Sequence, residues 1–175
     1  VADFSPRMTL ADARGKILFV VREDYKSSNN GAYFGAYLNW THDKVVFETT
    51  LHGNTGEVAQ IKVNDLYNIK NGSSDGVSKY SAIDDCIAYA YNATDPARWC
   101  MNYVSCYDTA HCSVSGISIF GAVGDYDYCA NLYNRYTADK LNRFDFRGNA
   151  GIVLMDFAGA ANATMTYGQT HSNVA

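Results

Sequence analysis

Proline is nearly absent, with two residues in 175, so no proline-rich linker or extended spacer divides the chain. Basic clusters are missing as well. Fourteen Lys and Arg stand against 18 Asp and Glu, for a net charge of −4, and no basic run offers a footprint for nucleic acid. No apolar run approaches the roughly 20 residues that span a bilayer. The first 85 residues hold no cysteine. No signal-peptide pattern is visible. A chain that opens on Val1 and not on Met reads as a mature chain or as a piece of a longer one.

Aromatic residues are plentiful, with 14 Tyr, 8 Phe and 2 Trp, and the length suffices for one domain with a real core. Five cysteines, Cys86, Cys100, Cys106, Cys112 and Cys129, crowd residues 86–129. Asn39, Asn71, Asn92 and Asn162 each begin an Asn-x-Ser/Thr sequon. Together these features predict a secreted, disulfide-bonded glycoprotein. The odd cysteine count leaves at least one thiol free or paired outside this segment. Cys100, Cys106, His111 and Cys112 lack the short paired spacing of structural zinc sites, so no metal is expected.

The chain is organised around residues 147–157. Arg147-Gly148-Asn149-Ala150 supplies turn residues, Gly151-Ile152-Val153-Leu154-Met155 a short apolar run, and Asp156 a carboxylate at its end. Such a run predicts a strand buried on both faces, as in a helix-covered parallel sheet. A carboxylate at the C-terminal end of a barrel strand stands where α/β barrels place their chemistry; the other reading is that Asp156 only starts a turn.

From the amino terminus, Thr9 to Gly15 predicts a helical turn with Thr9 as N-cap and Gly15 just past its end. Lys16 to Val21 predicts a second buried strand ending on Arg22, which either meets solvent or forks onto phosphate or hydroxyl oxygens. Residues 26–57 show no helical period and read as a long loop. Its aromatic, glycine-rich part, Asn29 to Trp40, either covers a ligand or a lipid surface or folds back onto the domain. Glu57 to Val63 alternates as a strand does and runs into Asp65 and Tyr67, which in an extended chain project to one side. Such a pair suits a polyol, or else is a turn Asp and a core Tyr. Val77 to Tyr91 predicts an amphipathic helix with Asp84 and Asp85 on its solvated side. Trp99 to Ser105 predicts a third strand and Asp125 to Phe144 a second long helix. The tail, Ala158 to Ala175, has no helix pattern. The order therefore gives an α/β chain of four parallel-type strands, half of an eight-stranded barrel. Half a barrel leaves two buried-type strands as edges, so a second half is expected, in the same precursor or as another chain.

Four segments in order resemble one family. Thr9-Leu10-Ala11-Asp12-Ala13-Arg14-Gly15-Lys16-Ile17 with Arg22, Val63-Asn64-Asp65-Leu66-Tyr67, Met101-Asn102-Tyr103-Val104-Ser105 and Gly151 to Phe157 look like the C-terminal half of the phosphatidylinositol-specific phospholipase C X-domain, of the bacterial, metal-independent kind. The resemblance implies that residues 1–175 form the C-terminal half of a distorted (β/α)8 TIM-like barrel. It implies a phosphodiesterase that cleaves phosphatidylinositol or glycosyl-phosphatidylinositol-type phosphodiesters to diacylglycerol and a cyclic inositol phosphate, with no cofactor and with transient contact at a membrane surface. Residue by residue, Arg22 and Asp65 match inositol-binding residues and Tyr67 the ring that packs against inositol. Asp156 matches the catalytic aspartate that supports a general-base histidine. The family's two catalytic histidines and its phosphate-binding arginine belong to the N-terminal half. His42, His52, His111 and His171 do not fall at those places, so this chain is expected to be inactive alone. Two other readings stay open: a half-barrel that binds inositol or a glycan without turnover, and a glycoside hydrolase with Asp65 and Asp156 as its carboxylate pair.

Overall fold

A computed structural model describes residues 1–22, 35–40, 46–67, 78–105, 123–143 and 148–156; of Arg22, residues 123–129 and residue 131 it describes the backbone alone. The predicted long loop, sequons Asn71 and Asn162, Cys106, Cys112, His42, His111, His171 and the tail lie wholly or partly outside these residues.

The elements run α1 (Leu10–Ala13), β1 (Val20–Arg22), β2 (Ala36–Leu38), β3 (Phe47–Gly53), β4 (Val58–Asn64), α2 (Lys79–Tyr91), β5 (Arg98–Tyr103), α3 (Val123–Leu141) and β6 (Ile152–Leu154). The six strands form one sheet in sequence order. β1 and β2 pair parallel, β3 is antiparallel to both β2 and β4, and β4, β5 and β6 pair parallel. Five strands therefore point one way and β3 alone runs back. The result is an α/β half-barrel with a mixed sheet.

Two strands lie where the sequence reads as loop. β3, Phe-Glu-Thr-Thr-Leu-His-Gly, buries only Leu51 and Gly53, so it carries no clear alternation. Its partners make it a strand: a hairpin turn over Asn54-Thr55-Gly56, with Gly56 at φ +100°, folds it onto β4. Its other edge receives β2, where Tyr37 stacks on His52 with ring centroids 4.9 Å apart. The described part of the aromatic segment, residues 35–40, thus folds back onto the domain.

The predicted first strand is shorter than its apolar run, and its start is not buried. Ile17 is 65% and Phe19 44% exposed, and pairing begins only at Val20. β6 is likewise three residues long, with Ile152 and Val153 half-buried and Leu154 exposed. Both are outermost in the sheet, so each has a hydrogen-bonded neighbour on one side only among the described residues.

α1 opens as expected. Thr9 accepts from Asp12 N, the Asp12 carboxylate takes the Thr9 N–H, and Gly15 follows at φ +74°. The two hydrogen bonds from Thr9, backbone and hydroxyl, hold the Asp12 carboxyl below its ordinary range. α2 is capped by Ser78 and buries Ala82, Ile83, Cys86, Ile87 and Ala90. Asp84 and Asp85 are not merely solvated. Asp84 takes the Tyr136 hydroxyl and pairs with Lys140, tying α2 to α3. Asp85 takes Lys62 Nζ at 3.0 Å, tying α2 to β4.

The sheet separates two apolar layers. Leu38, Leu51, Ala59, Ile61, Val63 and Met101 pack with Phe4 on one face. On the other, Ile83, Ile87 and Val104 pack with Tyr133, Tyr136, Val153 and Met155. Alternation along β4 and β5 produces this split: Ile61, Val63 and Met101 face one layer, whereas Lys62, Asn64 and Asn102 reach α2 and its contacts. Cys86 and Cys100 are free thiols, so the predicted disulfides are not formed among the described residues. No helix among those residues is long and apolar enough to cross a membrane.

Candidate functional site

The five parallel strands bring their C-terminal ends to one rim. Asp65 follows the end of β4, Tyr103 ends β5, and Asp156 stands just past β6. The register runs Asn64↔Asn102 and Tyr103↔Leu154, so Asp65 is level with Tyr103, and Asp156 is level with Ser105. Arg22 closes β1 opposite Leu38, and its side chain is outside the described residues. Leu38 is in turn level with Leu51 and Ala59, which places Arg22 well short of Asn64 along the strand direction.

Asp65 is buried, and its Oδ2 accepts from Trp40 Nε1 at 2.8 Å. Trp40 is steadied by an edge-to-face contact with Phe47, centroids 6.2 Å apart. The turn that presents Asp65 is built by Asn64. Its Oδ1 accepts the Leu66 N–H at 3.1 Å, and the Asp65 carbonyl accepts the Tyr67 N–H at 2.9 Å. Asn64 Nδ2 donates to Asn102 Oδ1 at 2.8 Å, and Asn102 Nδ2 donates to the Ile83 carbonyl at 3.1 Å. Two buried amides thereby lock the ends of β4 and β5 to α2. Tyr67 is half-buried.

Asp156 is exposed, but its backbone is fixed. Its N–H donates to Ser105 Oγ at 2.7 Å, Ser105 Oγ donates to Asn134 Oδ1 at 2.9 Å, and Asn134 Nδ2 donates to the Asp156 carbonyl at 2.7 Å. Ser105 and Asn134 are fully buried, so this closed ring ties α3, β5 and β6 at one point. The Asp156 carboxylate then accepts the Tyr103 hydroxyl. The outcome is an outward-facing carboxylate on a rigid backbone, with one oxygen already oriented.

Lys79 joins the two halves of this rim. It is 1% exposed, and Nζ donates to the carbonyls of Leu66 and Tyr103. The same ammonium lies 5.3 Å from the Tyr103 ring centroid. A cation at the first position of α2 thus satisfies the strand-end carbonyls that parallel sheets leave at their rim.

Sequence reasoning located Asp65, Tyr67 and Asp156 on this rim and the Arg22 backbone at the end of its strand. It missed Trp40, Asn64, Lys79, Asn102, Tyr103, Ser105 and Asn134. The available signal was a polar residue closing each of two neighbouring apolar runs, Asn64 and Asn102. Lys79 and Asn134 gave none, because their partners are far off in sequence. His52, the one histidine among the described residues, is next to the C-terminus of antiparallel β3 and so lies toward the opposite end of the sheet. Among the described residues no cluster of His, Cys, Asp or Glu can hold a metal.

Fold and rim define a class: part of an α/β barrel with polar groups gathered at the C-terminal strand ends. No family model matches the sequence, and no curated protein matches it significantly. Solved structures do share the fold. A pentafluorophenylalanine-bearing phosphatidylinositol-specific phospholipase C from Staphylococcus aureus aligns at TM-score 0.50 and 20% identity, over 72% of this chain and 35% of the enzyme. A double mutant of that enzyme aligns at 0.51 and 21%, over 75% and 38%. A structure addressing modulation of the enzyme's membrane binding aligns at 0.51 and 22%, over 75% and 38%. The chain spans little more than a third of the phospholipase's length and resembles that part of its barrel.

Proposed function

We propose that this chain is the inositol-recognising part of a secreted phosphodiesterase of the phosphatidylinositol-specific phospholipase C type, acting on phosphatidylinositol or glycosyl-phosphatidylinositol-type lipids. Asp65 accepts protons from inositol hydroxyls, Tyr67 packs on the C–H face of the ring, and Arg22 forks onto its oxygens. Asp156 orients a general-base histidine supplied by an N-terminal half-barrel, as a triad carboxylate does. That base takes the proton of the inositol 2-hydroxyl as its oxygen attacks phosphorus. Diacylglycerol leaves and a cyclic inositol phosphate remains.

The observation that carries the reading is the Asp156 arrangement. A carboxylate meant only to start a turn needs no ring of buried Ser105 and Asn134 beneath it. The fold likeness supports it, and Asp65 follows the end of β4 on the other side of β5. A non-catalytic inositol-binding module is the second reading, favoured by the position of His52 away from the rim.

Phosphatidylinositol vesicles test both. The chain alone releases no diacylglycerol. Native material that also contains the N-terminal half releases it, and Asp156→Asn lowers that rate about a hundredfold or more. Cleavage unaffected by Asp156→Asn contradicts the assigned role. Inositol binding without cleavage in the native material selects the binding module.

A further inference from the structure

Helix α2 and strand β5 face each other through two cysteines. Cys86, in the middle of α2, is 0% exposed, and Cys100, in β5, is 2% exposed. They share one small cluster with Ala90, flanked by Val46 and Tyr89. Cys100 Sγ donates to the Cys86 carbonyl at 3.3 Å. The strand side is tightly fixed: a Cβ at Gly151 would come within 2.8 Å of the Cys100 Cβ. No third ligand joins them among the described residues, so the thiols form a pair and not a metal site.

The Cys100 thiol, then burial, push the Cys86 thiol well above its ordinary range. Thiol–disulfide exchange needs a thiolate with access to the oxidant. The docked Cys86 offers neither, and Cys100 is buried beside it. Before α2 packs on β5, both cysteines ionise normally and are accessible.

We infer that Cys86 and Cys100 form an intrachain disulfide when the chain folds in the presence of a small-molecule disulfide, and that their redox state is fixed at folding. In the unfolded chain the Cys86 thiolate attacks glutathione disulfide, forming a mixed disulfide and releasing one glutathione thiolate. The Cys100 thiolate then attacks the Cys86 sulfur of that mixed disulfide and releases the second. The two protein thiols give up two protons, and their two electrons leave with the two glutathione molecules. The bond joins the helix that carries Lys79 to the strand that ends on Tyr103. Neither the pairing nor its timing depends on the phospholipase reading.

The test uses the full chain. One sample is reduced, unfolded and diluted into a glutathione redox buffer. A second is folded while reduced and then placed in the same buffer. Remaining thiols are alkylated in denaturant, and unreduced peptides are mapped after trypsin and chymotrypsin. Cleavage after Trp99 and Tyr103 separates Cys100 from Cys106. The first sample is expected to yield a Cys86–Cys100 cross-linked peptide, two hydrogens lighter than its parts, and the second to yield both residues alkylated. Both residues alkylated in the first sample, or either one linked to Cys106, Cys112 or Cys129, overturns the pairing. Equal cross-linking in both samples overturns the timing. Should refolding fail, material isolated from an oxidising secretory host is mapped in the same way, with the same outcomes for the pairing.

Discussion

Replacing Lys79 by methionine probes the joint between the two halves of the rim. Methionine keeps most of the apolar stem and removes the ammonium, so the change in packing is small. Two hydrogen bonds from the charged Nζ are lost, to Leu66 O and Tyr103 O. Bonds of that kind contribute about 1.5–3 kcal/mol each. The contact with the Tyr103 ring adds about 1–2 kcal/mol in a desolvated place. Against this, removing a fully buried ammonium relieves a desolvation cost of several kcal/mol. The carbonyls are backbone groups and cannot be replaced in turn, so the balance falls on the side of loss, by about 2–4 kcal/mol. With a urea m-value of about 2 kcal/mol/M, the unfolding midpoint drops by roughly 1–2 M. The assay is urea unfolding followed by far-UV circular dichroism. A midpoint within about 0.3 M of the parent, or above it, refutes the reasoning, because it means the bonds return no more than burial costs.

Three further outcomes follow from other parts of the molecule. Gly35→Ala is severely destabilising, by about 3 kcal/mol or more, because φ is +79° and the new Cβ would lie 2.2 Å from the Phe19 carbonyl oxygen; the same unfolding assay reads it. Asn134→Leu breaks the ring under Asp156 and leaves Ser105 Oγ and the Asp156 carbonyl without that partner, at about 2–3 kcal/mol; a loss below about 0.5 kcal/mol contradicts the ring. The reduced chain loses stability on the alkaline side. Cys86 and Tyr89 have raised pKa values, Cys86 from the Cys100 thiol and burial, Tyr89 from burial and Glu48. For Lys62 and Lys140, burial pulls downward, and the hydrogen bonds and charges of Asp85 and Glu48, or of Asp84 and Tyr136, more than offset it. All four groups hold protons more tightly when folded. Their contribution is therefore complete below the unfolded-state values, which begin at 9.0 for the thiol, and falls as pH rises from there. Unfolding midpoints measured from pH 7 to 11 should decline, with a later onset in a Cys86→Ser variant; a flat profile contradicts the shifts.

The sequence was most legible where periodicity and burial coincide. β4 alternates cleanly because Ala59, Ile61 and Val63 are buried and Val58 and Gln60 are exposed. α2 and α3 announce themselves through spaced apolar and aromatic residues, and Tyr80 does meet Tyr133 and Tyr136 at 4.8 and 4.6 Å. β2 and β3 were illegible because neither carries its own pattern; antiparallel pairing on both sides defines β3. β1 was overread for the opposite reason. Lys16 to Val21 is apolar enough for a buried strand, yet at an edge its first residues stay exposed. On the rim, carboxylates that end apolar runs gave Asp65 and Asp156 away. Nothing in the sequence around Lys79 marks it as buried. Only the fold sets it between the ends of β4 and β5.

The central claim is that the rim recognises inositol, and the most direct measurement is a myo-inositol titration of the ¹⁵N-labelled chain with Asp65→Asn in parallel. The account predicts saturable shifts confined to the rim amides, including Asp65, Leu66, Tyr103 and Asp156, that vanish in Asp65→Asn while the spectrum stays folded. Shifts elsewhere, or an unchanged response in Asp65→Asn, contradict it.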